Sequence, residues 1–108
     1  YKDSYQLVLR VFEVTRDFPR EYRYTLGQDM KRDALHLLRC IYRANKHQKR
    51  IEHLEVFLDE IELLKLEIRL CVEMKLISLK RQALLSELLT RIGKQVTGWR
   101  NASRKPES

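Results

Sequence analysis

Apolar residues recur every three or four positions along almost the whole chain, a spacing that predicts α-helices. Four helices are expected, over residues 4–17, from 20 or 25 to 44, 50–74 and from 79 to 99 or 101. Pro19 ends the first helix, because the residue before a proline is pushed out of the helical region. Asn45 is the candidate C-terminal cap of the second helix, and Ser78 is the candidate N-cap of the fourth.

This succession of elements predicts an all-α fold class. Helices joined by short connections neighbour one another antiparallel, so we expect an up-down-up-down four-helix bundle over residues 1–101. Three glycines and two prolines are too few turn formers for a multi-stranded β protein. Residues 102–108 are polar and contain Pro106, which predicts a disordered C-terminal tail.

Two of the predicted helices, the first and the third, carry a second apolar stripe. The second stripes consist of Leu7, Val11, Val14 and Phe18 on the first helix and Val56, Leu63, Leu66, Leu70 and Met74 on the third, and all of these except Phe18 are the candidate interface residues. A monomer would expose them as large apolar surfaces, which soluble monomers rarely tolerate. We therefore expect an interface in which the stripe of one copy meets that of the next and closes a ring-like homo-oligomer. The alternative is a monomeric bundle that buries wide helix faces.

Charge is distributed unevenly along the chain. The sequence has 22 Lys and Arg against 15 Asp and Glu, a formal net charge of +7. Residues 31–50 hold seven bases and one acid, residues 51–77 hold seven acids and three bases, and residues 78–108 hold seven bases and two acids. Segments of opposite sign can pair, but the positive excess remains after every acid is paired, and it suits a polyanionic partner.

The most basic surface predicted by the sequence lies on the second helix. A 4-3-4-3-4 spacing puts one set of basic side chains opposite the apolar face, provided that the helix continues beyond residue 45. The candidate nucleic-acid-binding residues are Arg32, Arg39, Arg43, Lys46 and Arg50 on this stripe, with Arg81, Arg91 and Lys94 on the fourth helix. Guanidinium groups bind phosphates bidentately, which indicates RNA or DNA binding through the phosphates. The alternative is that these charges solvate a surface or pair with the acids of the third helix.

Tyr42 is the one aromatic residue beside this stripe, and it lies at its edge. Readers of single strands interleave several aromatic side chains with their basic residues, so that bases stack on the rings. The sequence therefore favours recognition of backbone charge and shape over base stacking.

No arrangement of residues in the sequence indicates catalysis or a cofactor. The three histidines lack the i, i+4 spacing, with an intervening glutamate, of a helical zinc protease site. Cys40 and Cys71 have no CxxC partner, and we expect two buried, unreactive thiols in a reduced, cytoplasmic protein. The longest uncharged run covers only residues 4–9, so neither a transmembrane helix nor a membrane partner is expected. The sequence predicts a binding protein that is not an enzyme and holds no metal.

A motif near the second helix resembles a family of small four-helix-bundle proteins. The chain reads Phe18-Pro19-x-Glu21-x-x-Tyr24-x-Leu26 and then Met30-Lys31-Arg32, similar to the first loop and second-helix start of that family. The family includes the protein encoded in the intervening sequences of bacterial large-subunit ribosomal RNA genes. It also includes the accessory variability determinant (Avd) of diversity-generating retroelements. The basic, Leu-rich residues 34–43 and the Gly-x-x-x-x-Gly-Trp sequence over residues 93–99 make this chain more similar to the retroelement type.

The resemblance implies an architecture and a set of partners. Members of the retroelement branch form a barrel-like homopentamer, bind nucleic acid without marked sequence preference and associate with the reverse transcriptase of the element. The implied function is a scaffold that presents template RNA to this polymerase during mutagenic complementary-DNA synthesis. Two alternatives stay open. One is a nucleic-acid-binding bundle of the ribosomal type with no polymerase partner, and the other is an interaction module whose basic face meets an acidic protein.

Overall fold

The computed structural model describes residues 1–46 and 49–104. Its helices are α1 (Lys2–Arg16), α2 (Arg20–Arg23), α3 (Leu26–Ala44), α4 (Arg50–Glu73) and α5 (Leu79–Ser103). The described residues form helices and their connections without a strand, and the all-α fold class is confirmed. The two start points predicted for the second helix belong to two helices. The short α2 begins at Arg20, and Thr25 is the N-cap of the long α3.

The four long helices pack in the order α1, α3, α4, α5, and α5 closes back on α1. Contacts between their ends show the helix directions. Arg81, at the start of α5, forms an ion pair with Asp17 at the end of α1. Cys71, near the end of α4, lies 3.4 Å from the sulfur of Met30 near the start of α3. Neighbouring helices therefore run antiparallel, and α1 lies diagonally across the bundle from α4, as α3 does from α5.

The core is built from the main apolar stripe of each long helix. Leu37 of α3, together with Phe57 and Leu64 of α4, has no solvent-exposed surface. Residues 85, 88, 89, 92 and 96 of α5 close the core from the fourth side. Burial of one such large side chain stabilises the fold by about 1.5–3 kcal/mol, so these stripes hold the four helices together.

Local sequence features set the helix ends. Asp17 follows the last residue of α1, two positions before Pro19, as the proline predicts. The Oγ atom of Ser78 accepts a hydrogen bond from the backbone N–H of Arg81 at 3.1 Å, which confirms Ser78 as the N-cap of α5. The last helix reaches Ser103, so the bundle continues beyond the predicted limit at residue 101. Of the predicted tail, residues 105–108 lie outside the described part of the chain.

One of the two predicted interface stripes is wrong, because it lies in the core. Leu7 and Val11 are fully buried, and Val14 is 5% exposed. α1 packs against both α3 and α5, and its branched aliphatic side chains fill the space between them. The apolar surface that α1 exposes is a different stripe, which consists of Tyr1, Tyr5, Leu9 and Phe12. A tyrosine on the outside keeps its hydroxyl in water, whereas a buried one needs a hydrogen-bond partner.

The second stripe of α4 lies on the outside of the bundle, as the sequence predicts. Its members Val56, Leu63, Leu66, Leu70 and Met74 are all exposed, and Leu66 has the largest exposed fraction at 61%. Because α1 and α4 occupy opposite corners, the protomer presents two separate exposed apolar faces. We call them the α1 face (Tyr1, Tyr5, Leu9, Phe12) and the α4 face (the five residues of this stripe).

Candidate nucleic-acid interface

The predicted basic stripe does not continue along one helix. α3 ends at Ala44, Asn45 follows it, and α4 begins after Lys49, whose backbone is in the left-handed region. Arg50 therefore belongs to α4, and Lys46 lies in the connection. The single face that was predicted from Arg32 to Arg50 is wrong beyond Arg43, because the chain turns there to start the next helix.

At least three of the eight predicted binding residues already have acidic partners within the described part of the chain. The Arg32 guanidinium lies 3.4 Å from Asp29 and 3.5 Å from Asp33. On α5, Arg81 pairs with Asp17 at 3.4 Å, and Arg91 pairs with Asp3 at 3.2 Å. Hydrogen bonds from Gln95 and Arg91 lower the pKa of the Asp3 carboxyl from its ordinary value. The two arginines of α5 thus connect α1 to α5, and a phosphate would compete with these carboxylates for them.

Arg50 closes the connection between α3 and α4. Its Nε atom donates a hydrogen bond to the backbone carbonyl of Ala44 at 3.0 Å, and its guanidinium carbon lies 5.4 Å from the ring centre of Trp99. The first contact satisfies a carbonyl at the end of α3, and the second is a cation–π contact that reaches α5. This geometry gives Arg50 a structural task within the bundle.

Two of the predicted binding residues on α3 are exposed to solvent. Arg39 and Arg43 have no ion pair with any residue of the described chain, and they stand one helical turn apart. Lys46 lies beside them, with its Nζ atom 4.7 Å from the ring centre of Tyr42. A shallow groove is lined by these three cations, Tyr42 and His53 of α4. We call these five residues the α3 patch.

The fourth-helix cations are not brought to the α3 patch. α5 lies diagonally across the bundle from α3, so Arg81, Arg91 and Lys94 belong to another side of the protomer. Lys94 is exposed and lies beside a groove between α4 and α5. A single protomer therefore presents two basic surfaces, and the one on α3 has the larger share of cations without an acidic partner.

A second mixed surface, which sequence reasoning missed, lies between α1 and α3. Phe12, Tyr24 and Leu35 line a groove there, and the Nζ atom of Lys31 lies 5.6 Å from the Phe12 ring centre. Arg39 borders this groove as well as the α3 patch, so the two are continuous. The sequence does not show that Phe12 is exposed, because that follows only once the stripe with Leu7 and Val11 is known to face the core.

A pair of acids lies between α3 and α4, near Arg32. Asp33 is almost fully buried, and Asp33 Oδ2 and Glu67 Oε1 are buried oxygens without another hydrogen-bond partner, so the two side chains can hydrogen-bond when Glu67 is protonated. Burial, this hydrogen bond and the charge of Asp33 raise the pKa of Glu67 from its ordinary value of 4.5 to about 8. At neutral pH the pair thus shares a proton, and Glu67 carries little negative charge.

The two cysteines are buried, as the sequence predicts. Burial raises the pKa of both thiols, that of Cys71 to about 11, so neither forms a thiolate near neutral pH. The Nε2 atom of His36 lies 3.7 Å from the Cys40 sulfur, but no third ligand joins them. Across residues 1–46 and 49–104, no three acidic, histidine or cysteine side chains come together as a metal site; His47 lies outside those ranges.

No helix of the described chain has an apolar stretch long enough to cross a membrane. A comparison with curated proteins gives no match. A family model described as bAvd-like matches residues 1–103, which cover the entire helical bundle. The chain therefore belongs to the bAvd-like family, in agreement with the Avd-type resemblance of its sequence.

Proposed function

We propose that this protein is a non-catalytic accessory protein of a diversity-generating retroelement that holds template RNA, or its DNA product, through phosphate contacts. The family membership supports the retroelement assignment. The observation that carries the binding proposal is the α3 patch, where Arg39, Arg43 and Lys46 are exposed without an acidic partner in the described chain. Guanidinium and ammonium groups left in this state can exchange counterions for phosphates at little cost.

Self-association is the second part of the proposal. The α1 face and the α4 face lie at opposite corners of the protomer, so the contact that joins them links one copy to the next in a head-to-tail manner. Such a contact closes into a ring when the rotation between copies permits it, and the resemblance favours a pentamer. A ring repeats the α3 patch once per copy, which multiplies the positive surface available to one long polyanion.

The reverse transcriptase is the proposed protein partner. The family membership supports a division in which the accessory ring binds template RNA and the polymerase carries out catalysis. In this scheme the ring holds the template RNA beside the polymerase, which raises the local concentration of template at the polymerase.

The binding proposal is tested by the salt dependence of affinity for an unrelated RNA. For the wild type, the affinity falls steeply as salt rises, because each phosphate contact releases counterions. In the double variant Arg39→Gln/Arg43→Gln, two phosphate contacts are lost, and the slope of log K against log[salt] becomes smaller by about 1.5. Fluorescence anisotropy at several salt concentrations measures both slopes.

The matched control is Arg81→Gln/Arg91→Gln, which removes the same charge from arginines that pair with Asp17 and Asp3. Its slope stays near that of the wild type. Equal losses in the two double variants would show that net charge alone determines binding, which contradicts a site on α3. Affinity of the wild type that does not change between low and moderate salt would contradict phosphate contact altogether.

A further inference from the structure

Tyr42 is a large aromatic side chain that takes no part in the core. It lies on α3 two residues before the helix ends, and 54% of its surface is exposed. Lys46 stands 4.7 Å from the ring centre, and Arg39 and Arg43 line the same groove, which His53 borders from α4. No carboxylate is among the described residues that line this groove.

This combination of groups distinguishes between two forms of nucleic acid. A duplex hides the faces of its bases and needs only cations for its phosphates. An unpaired strand exposes a π-face at every base, and a protein that binds it supplies aromatic rings beside a basic groove. A ring that stands exposed among cations is therefore suited to an unpaired nucleotide, although the sequence alone favoured backbone recognition.

The surrounding contacts prepare the groove for a negative ligand. The C-terminal end of a helix carries a partial negative charge, which would repel phosphate. Arg50 donates a hydrogen bond to the carbonyl of Ala44 at this end of α3 and offsets that charge. Arg39 and Arg43 are about 6 Å apart along the helix axis, since each residue rises about 1.5 Å. Both can therefore contact phosphates of one short segment of strand.

We propose that Tyr42, Arg39, Arg43 and Lys46 form a binding site for an unpaired nucleotide, in which the base stacks on Tyr42 and the flanking phosphates meet the cations. This inference rests on the proposed function and makes it more specific: the preferred ligand of the α3 patch is single-stranded nucleic acid. The hydroxyl of Tyr42 is not needed for stacking, whereas its ring is.

The test compares three ligands of equal length: oligouridylate, an abasic strand with the same phosphates, and duplex RNA. The variant Tyr42→Ala weakens binding of oligouridylate by about 5- to 150-fold, which corresponds to about 1–3 kcal/mol for one stacked base. It leaves the abasic strand and the duplex within about twofold of the wild type. Tyr42→Phe keeps wild-type affinity for all three, because it retains the ring, while Arg39→Gln/Arg43→Gln weakens all three, because they share phosphates.

Three results would overturn the stacking site. These are an unchanged affinity of Tyr42→Ala for oligouridylate, an equal loss for all three ligands, and a change in the oligomer mass of this variant. In each case the proposed function stands if the wild type still binds RNA with a steep salt dependence. Failure of the wild type to bind any of the three ligands would instead remove the proposed function together with the site.

Discussion

Gly27 lies close to the residues that precede α3. A Cβ atom there would lie 3.1 Å from the backbone carbonyl of Tyr22 and 3.3 Å from the Phe18 ring, whereas a Cβ at Gly98 on α5 would meet nothing within 4 Å. Both glycines are helical, so alanine should gain about 1 kcal/mol at either position if space permits. The steric environment therefore decides the sign of the effect.

We expect Gly98→Ala to raise the free energy of unfolding by about 1 kcal/mol, because an open helical site gains propensity at no steric cost. Gly27→Ala is expected to lower it by about 1 kcal/mol, because the cost of overpacking exceeds the gain. Urea denaturation of the two variants measures both values. An equal gain at both positions would show that the contact with the Tyr22 carbonyl is not close.

The raised pKa of Glu67 predicts a pH dependence of stability. The folded state keeps the proton up to about pH 8, whereas the unfolded chain loses it near pH 4.5, so stability falls as pH rises through this window. The loss has a limiting slope of about 1.4 kcal/mol per pH unit for one proton. The stabilising effect of the proton is complete below pH 4.5 and is gone above pH 8.

Glu67→Gln places a permanent N–H donor where protonated Glu67 offers its O–H to Asp33, so it removes this dependence. The stability of the variant relative to the wild type should increase from pH 5 to pH 8, and urea midpoints across that range measure it. A constant difference over the range would contradict a shared proton between Asp33 and Glu67.

At the scale of single elements, the hydrophobic pattern locates the helices but does not decide which face turns inward. On α1 two stripes are similarly apolar, and the choice depends on the packing of α1 between α3 and α5. The stripe with Leu7 and Val11 is in the core, and the stripe with Tyr5 and Phe12 is outside. On α4 the neighbours leave one stripe uncovered, and there the sequence predicts the exposed side correctly.

The residues of the candidate site, like the inward faces of the helices, can be predicted from the sequence only in part. Helical spacing alone finds Arg39 and Arg43 on one exposed face of α3. It cannot find the pairs Arg81–Asp17 and Arg91–Asp3, because their members are far apart in the chain and meet only when α5 closes on α1. Nor does helical spacing show where the stripe ends, because α3 stops at Ala44 and the chain turns before α4 begins at Arg50.

At the scale of the whole molecule, the two outward apolar faces predict assembly. Leu66→Asp places a charge on the α4 face, and we expect it to reduce the mass in light scattering from several times 13.1 kDa to that of a monomer. Leu84→Asp is the matched control, because Leu84 is 62% exposed, against 61% for Leu66, and lies on α5 outside both faces. A monomeric wild type, or an assembly that survives Leu66→Asp, would contradict the proposed interface.

Complementary-DNA synthesis by the reverse transcriptase of the element, reconstituted with template RNA and this protein, tests the central claim most directly. Because template binding is assigned to Arg39 and Arg43, the Arg39→Gln/Arg43→Gln variant should reduce the yield to that of a reaction without the protein. Arg81→Gln/Arg91→Gln, with the same loss of charge, should support wild-type yield. Full yield with the first variant would contradict the account, because the template would then be held without the free cations of α3.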